Sequence, residues 1–560
     1  MNPIQLFEPT LKDLLQRAVS EIRMSTGNGA APLIELEIPR SRAHGDVATS
    51  IAMRMAGELR RPPLEIAGKI VERVERFLPG SPLKGIIEKV EAKPPGFVNF
   101  FVSHSFLCDV LRHVLSQGSE FGRSRLGAGR KAMVEFVSAN PTGPLSVAHG
   151  RQAAVGDALA NLLLFAGYRV VREYYLNDEG TQIELLGQSV LARARETAGL
   201  SFQFPENGYK GQYVRALGAE LLKRVGPGAL EKSSAQHLAR TFAVEALSRV
   251  IRSELDRFGV RFGPWFPQSS LSRFGYLNRT LGILKRRGYL YLSEGAWWLK
   301  STAFGDDKDR VVIRSDGRLT YIAADIAYHR RKFQRGFELL VNLWGPDHHG
   351  YIPRIKAAMQ ALGFAPEKIQ VRIVQLCTLK RGKETIPMST REGEFITLTQ
   401  VMDEVGVDAA RFFFLLRKTD APLEFDLELA KKHSLENPVY YIQYAHARIC
   451  NIFENRRKQG FQPVRPADLS RLQAGEEVFL LKLLREFPGV VESSAAALEP
   501  FGIVSYLQEL AEAFHRFYDT HRVLSDDVGL SSARLDLAAG VRTVLENGLK
   551  ILGVAAPEKM

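Results

Sequence analysis

A chain of 560 residues, 45% hydrophobic and 24% charged, has the composition of an ordinary globular protein and the length for three or four units with cores of their own. Its formal net charge of +13 suits a polyanionic partner such as nucleic acid, through phosphate neutralisation and counterion release. Cys108, Cys377 and Cys450 lie too far apart for a zinc site or a disulfide framework, no apolar stretch reaches about 18 residues, and the N-terminus carries acidic residues with no long apolar core. No structural metal, no membrane span and no secretion signal are therefore expected, and the reducing cytoplasm is the expected compartment.

Residues 1–110 read as an α+β unit. Leu11–Ser25, Ala48–Leu59 and Leu64–Phe77 have helical period. Leu33–Ile38 alternates like a strand, and Phe97–Val102 is a strand entered through Pro94-Pro95-Gly96. The glycine-bearing, basic stretch Gln117–Lys131 reads as a linker. From there the pattern becomes strand, bend, helix, strand: Ala132–Val137, then a helix from His149 to Phe165, then Tyr168–Tyr175. A βαβ start implies parallel strands with right-handed crossovers. Val311–Arg314, Leu339–Trp344 and Ile369–Leu376 add further strands, so a doubly wound α/β unit is expected over residues 120–400. Beyond residue 405 strands are expected to stop. Ala409–Arg417, Leu427–His433, Val439–Arg457, Glu476–Glu492, Gly502–Arg522 and Ser532–Leu552 all carry helical period, giving an all-α unit over 405–560.

Four segments carry chemistry. Glu135 to Arg151 reads as a strand end, a Pro/Gly bend and a helix start, and a helix N-terminus offers free N–H groups and positive partial charge to a phosphate. His149 adds charge or a donor there, while Glu135 and Asn140 stand at the carboxyl edge of the strand, where a zwitterionic or cationic substrate would lie. A plain strand–turn–helix capped by Ser146 fits the same residues. Tyr321 and Asp325 share a helix face at i,i+4, a phenol and a carboxylate suited to a guanidinium; a helix-starting Asp with a packed Tyr is the simpler alternative. Asp347, His348 and His349 follow a parallel strand and favour ribose or substrate hydrogen bonds over metal ligation, because no further ligands stand at matching spacing. Lys380, Arg381, Lys383 and Arg391 sit in a polar loop that either faces a leaving pyrophosphate or is a solvated surface loop.

In order along nearly the whole chain, these segments resemble the arginyl-tRNA synthetases of bacterial type, a class I aminoacyl-tRNA synthetase family. EFVSANPTGPL-SVAH-GR is similar to the first signature of that class, with Ala139-Asn140-Pro141-Thr142-Gly143-Pro144-Leu145-Ser146-Val147-Ala148-His149 as its stretch. IPMSTREGEFITL is similar to the second. REYYLNDEGTQIELLG, TYIAADIAYH, WGPDHHGY, VGVDAARFFFL and ENPVYYIQYAHARI match the family in the same order, as do the N-terminal blocks IPRSRAHGDVATSIAM and PPGFVNFFVS. The resemblance implies a Rossmann-type catalytic unit between an N-terminal tRNA-binding unit and a helical anticodon-binding bundle. It implies ATP with Mg2+, L-arginine and tRNA(Arg) as the participants, formation of arginyl-adenylate, transfer to the terminal adenosine, and a monomer. On that basis Ser146, His149, Met388, Ser389 and Arg391 are expected to be catalytic. Pro144, Leu145, Ala148, Gly150, Asp347, His348 and Met388 would hold ATP, and Glu135, Ser138, Asn140, Tyr321, Asp325 and His349 would hold arginine. Phe514, Phe517 and Tyr518 either stack on anticodon bases or pack the bundle.

The pattern departs from the family in both signatures. Ser146 and Ala148 stand where His and Gly are usual, Pro387 and Thr390 where lysines flank Met-Ser, and Gly143 where some members carry a compensating lysine. Arg151, Lys380, Lys383 and Arg391 are the nearby cations expected to replace them. A catalytically impaired paralogue that binds tRNA or arginine, and an arginine ligase with another acceptor, are the alternatives these departures leave.

Overall fold

The computed structural model describes residues 3–24, 32–39, 41–382, 384–386 and 396–560. In the N-terminal part, helices Pro3–Met24, Ile51–Leu59, Pro63–Phe77 and His104–Gln117 surround a three-stranded antiparallel sheet, with Phe97–Val102 between Val47–Thr49 and Ile87–Lys93. Two expectations change here. Leu33–Ile38 is not a strand: only Glu37 pairs, as a single bridge to Ala48, and Leu33 and Ile38 point outward. The helix expected from Ala48 begins at Ile51, because Val47–Thr49 is drawn into register with Phe100, Asn99 and Val98.

Five parallel strands build the central sheet: β1 (Lys131–Glu135), β2 (Arg169–Leu176), β3 (Trp265–Pro267), β4 (Leu339–Trp344) and β5 (Ile369–Ile373), in the order β5-β4-β1-β2-β3. Ala132, Met133 and Val134 of β1 are all fully buried, as a strand covered on both faces must be. Helix α1 (Val147–Phe165) crosses from β1 to β2. Gly156 lets it close on the sheet, since a Cβ there would fall 2.2 Å from the Phe136 ring. Helix α2 (Ala235–Arg257) belongs to a helical insertion between β2 and β3, and α3 (Tyr321–Gln334) precedes β4. The strand expected in this sheet at Val311–Arg314 runs over Arg310–Ile313 and instead lies in a separate antiparallel sheet with Leu290–Ser293 and Ala296–Leu299.

The strands do not stop at residue 405. Leu423–Asp426 runs parallel to Cys377–Arg381 in a separate three-stranded sheet that follows the central one. Helices α4 (Pro438–Lys458), α5 (Gly475–Ala497), α6 (Phe501–Thr520) and α7 (Val528–Leu552) form the terminal bundle. The stretch 117–131, expected as a linker, is docked on that bundle: Asn547 donates to the carbonyls of Gly118 and Phe121, and Phe121 stacks on Phe487. One continuous apolar core therefore runs from Phe7 through α1 to Val554.

Candidate active site

The strand order reverses between β1 and β4, so a crevice opens at their carboxyl ends, the usual ligand position of such sheets. Glu135 of β1 and Asn342 of β4 face each other in register at its floor. The chain leaves β1 under strain, with φ of 64° at Val137 and 41° at Ser138, conformations an L residue adopts only when its surroundings impose them. The surroundings do so. Ser138 Oγ accepts the Tyr175 N–H at 3.1 Å, the Tyr174 hydroxyl donates to the Ala139 carbonyl at 2.8 Å, and the Tyr213 hydroxyl donates to that of Thr142 at 2.6 Å.

This loop delivers Ser146 as the N-cap of α1. The Ser146 N–H donates to His149 Nδ1 at 3.2 Å, and the Ser146 hydroxyl lies 3.1 Å from the same nitrogen. Burial pushes the His149 imidazole down to about 4, so it is neutral at physiological pH. Because Nδ1 accepts, the ring proton sits on Nε2. His149 thus offers a hydrogen-bond donor to the crevice rather than the positive charge the sequence left open. Ala148 is exposed, and Gly150 is required by packing: a Cβ there would approach Leu398 Cδ1 to 2.8 Å and the Phe414 ring to 3.1 Å.

Met388, Ser389 and Arg391, with Pro387, Thr390 and Lys383, lie outside the described residues. The residues that follow them are placed against the first signature. Thr397 forms a bridge with Ser146, and the Leu398 N–H donates to the Leu145 carbonyl at 2.8 Å. Glu254 of α2 clamps both segments, accepting from the Leu145 N–H at 3.1 Å and the Thr399 hydroxyl at 2.7 Å. The expected substitute cations among the described residues are engaged elsewhere. Arg151 is fully buried and donates to the carbonyls of Gln375, Leu376, Lys418 and Ala421, so it fastens α1 to the chain beyond β5 and does not face the crevice. Lys380 pairs with Glu424 at 2.7 Å, and Arg381 with Glu404 and Glu428.

On the other wall, α3 turns Asp325, Tyr328, His329 and Lys332 toward the sheet. Asp325 is half-buried and accepts a hydrogen bond from the Tyr351 hydroxyl at 2.9 Å. Desolvation, reinforced by the charge of Glu135, pushes its carboxyl up to about 6. Glu135 is buried, but pairs with Lys332. Tyr321, at the start of α3, is 65% exposed and is not the phenol on Asp325; it stands over Gly180 at the mouth of a cleft of about 330 Å³ shared with Asn140, Asn177, Glu179 and Gln182. Asn140 donates to Gln182 at 2.6 Å. Asp347, His348 and His349 occupy an exposed turn after β4, with Asp347 folded over Gly345 and 3.3 Å from His348.

The structure sets Glu135 near Asp325 and Asn140 near Tyr321, with Ser146 and His149 at the start of the helix that follows the same strand. Sequence reasoning did not name Glu254, Tyr351 or Lys332. The signal for Lys332 was present, seven residues after Asp325 on the same helical face; Glu254 had none, being a surface-type residue 109 positions from its partner Leu145. Among the described residues no three His, Cys, Asp or Glu side chains group to hold a metal, and no helix is long and apolar enough to cross a membrane. In the bundle, Phe514 and Phe517 are core residues, whereas Tyr518 is exposed with the Arg448 guanidinium 4.5 Å over its ring.

Three family models match the chain. The arginyl tRNA synthetase N terminal domain matches residues 9–102, the class I (R) tRNA synthetase catalytic domain 110–421, and the DALR anticodon binding domain 442–560. The arginine–tRNA ligase of Syntrophotalea carbinolica is 47% identical over 95% of this chain and 96% of its own length. That of Carboxydothermus hydrogenoformans is 45% identical over 98% and 100%. The arginyl-tRNA synthetase structure from Thermus thermophilus superposes with a TM-score of 0.77 over 98% of this chain and 99% of its own, at 23% identity, a likeness of fold.

Proposed function

From the premise that the chain belongs to the arginyl-tRNA synthetase family and ligates arginine to tRNA with ATP, we propose how its own residues divide that work. Asp325, aligned by Tyr351, takes the guanidinium, with Tyr321 closing over it. Glu135 and Asn140, with Ser138 holding the loop, take the amino-acid end, and His349 flanks it. Ser146 and His149 donate to the ATP phosphates from the start of α1. Pro144, Leu145, Ala148 and Gly150 shape the nucleotide's seat, and Asp347 and His348 meet its ribose. Met388, Ser389 and Arg391 supply the remaining phosphate contacts, and Mg2+ bound to ATP would offset the charge of the leaving pyrophosphate. An arginine carboxylate oxygen then attacks the α-phosphorus and pyrophosphate leaves; a hydroxyl of the tRNA's terminal ribose attacks the resulting mixed anhydride and AMP leaves. Residues 120–400 house this chemistry, 1–110 meet the tRNA body and 405–560 the anticodon loop. The protein works as a cytoplasmic monomer.

The observation that carries this reading is the state of two neighbouring carboxylates. Glu135 is paired with a lysine, whereas Asp325 is half-buried with a phenol and, among the described residues, no cation within ion-pair distance. A desolvated carboxylate without a cation suits a ligand that brings one. The test is charging of an arginine-accepting tRNA transcript with labelled arginine and ATP-Mg, in the unaltered chain and in Asp325→Asn. Loss of a charge-assisted bond is expected to raise the arginine KM about 10- to 100-fold while leaving that for ATP in place. An unchanged arginine KM would remove Asp325 from the role.

A further inference from the structure

The crevice places two carboxylates close enough for Glu135 to raise the proton affinity of Asp325. Like-charged neighbours tend to share a proton, and a protonated carboxyl is a poor partner for an ammonium or guanidinium group. Helix α3 supplies the counterweight. Lys332 is fully buried; its ammonium pairs with Glu135 Oε2, donates to Asn342 Oδ1 at 2.8 Å, and lies 4.4 Å from the Tyr328 ring centroid. Asn342 is itself oriented, its amide N–H donating to His329 Nε2 at 3.0 Å, and His329 Nδ1–H donates to the Asp325 carbonyl at 2.9 Å. A chain of hydrogen bonds thus runs from the backbone of one carboxylate residue to the side chain of the other. The remaining groups near Glu135 and Asp325 compensate less. From β2 come Tyr175 and a Glu173 already paired with Arg335; from the first loop, Ser138; from the turn after β4, Tyr351.

We propose that Lys332 is a positioning residue for arginine: without touching the substrate, it holds Glu135 by Oε2 and so keeps the carboxylate turned with Oε1 available to the substrate's cation. Stability by itself is weak reason to keep such a pair, since buried ion pairs are often replaceable by apolar side chains of similar volume. The proposal rests on the reading of Glu135 as an arginine ligand.

A double-mutant cycle on the full chain tests it, with steady-state KM values for arginine and ATP in tRNA charging. Glu135→Gln and Lys332→Met are each expected to raise the arginine KM about 10- to 100-fold with that for ATP unmoved. The double variant is expected to stay close to Glu135→Gln alone, because Lys332 touches Glu135 and acts on Asp325 only through its charge at a distance. In Lys332→Met, arginine kcat/KM should begin to fall at a higher pH than in the unaltered chain as acid is added. If the double variant shows the product of the two single effects, or Lys332→Met leaves the arginine KM unchanged, the proposal is overturned. Should Lys332→Met fail to fold, Glu135→Gln against the charge-free double variant decides: equal values support the proposal, a further rise overturns it. An unchanged arginine KM in Glu135→Gln would instead overturn the assignment of Glu135, and the role of Lys332 with it.

Discussion

Asp325 and His149 are both shifted by burial, in the directions that make each neutral form easier to keep, with different consequences. With its carboxyl raised to about 6 in the folded chain against an ordinary value near 4, Asp325 becomes costly to ionise as pH rises through that window. Its charge therefore lowers the stability of the ligand-free protein above pH 6, and Asp325→Asn is expected to melt no lower than the unaltered chain at pH 7. Arginine needs that charge, so kcat/KM for arginine is expected to fall about tenfold per unit as pH drops below about 6, and a pH–rate profile would show the bend. His149 titrates near 4, so it should add no second bend between pH 5 and 8. Its contribution is the Nε2–H donor. Removing one preorganised donor typically costs about 10²–10³ in rate, and single-turnover adenylate formation by His149→Ala is expected to slow by that order with the fold intact.

The elements that hold these residues differ in how openly the sequence announces them. β1, β4 and α1 are long, apolar runs flanked by Pro and Gly, and they lie within a residue or two of where periodicity puts them. β3 and Leu423–Asp426 were not anticipated; at three and four residues they are too short to show alternation, and long-range pairing defines them. Leu33–Ile38 shows the converse, a β-like pattern that found almost no partner. Tyr321 and Asp325 do share a helix, yet the start of α3 reaches the rim of the crevice while the next turn is buried, so the phenol on Asp325 comes from Tyr351 instead. At the start of α1, the junction with Leu398 and Phe414 leaves no room for a methyl group. Gly150→Ala is expected to destabilise by about 1–3 kcal/mol, read as a lower melting temperature, and to raise the KM for ATP by shifting His149.

At the scale of the whole molecule, a buried knot on α1 joins the catalytic sheet to the bundle. Asp157 accepts from Arg172 at 2.8 Å and Arg411 at 2.6 Å, and Arg411 also donates to the carbonyls of Phe258 and Leu552, at the C-terminal ends of α2 and α7. Asp157→Ala leaves the buried Arg411 and the half-buried Arg172 guanidinium groups without their anion, and a loss of about 3–5 kcal/mol in denaturant unfolding is expected. Because Phe165 and Phe121 pack on Phe487, and Leu111 lies beside Leu484, a chain cut at residue 436 should be insoluble rather than an independent catalytic fragment. The N-terminal part is covered by the same bundle: Asp46, fully buried, accepts from Arg485 through its carbonyl and pairs with Lys482 at 2.8 Å. Arg485 lies 439 positions further along the chain. At a synthesis rate of about 5–20 residues per second, roughly 20 to 90 seconds separate the emergence of this face from that of its cover. Throughout that interval the apolar side chains that the bundle later covers, Leu111 among them, stay exposed, and the yield of folded chain is expected to fall when holdase chaperones are depleted.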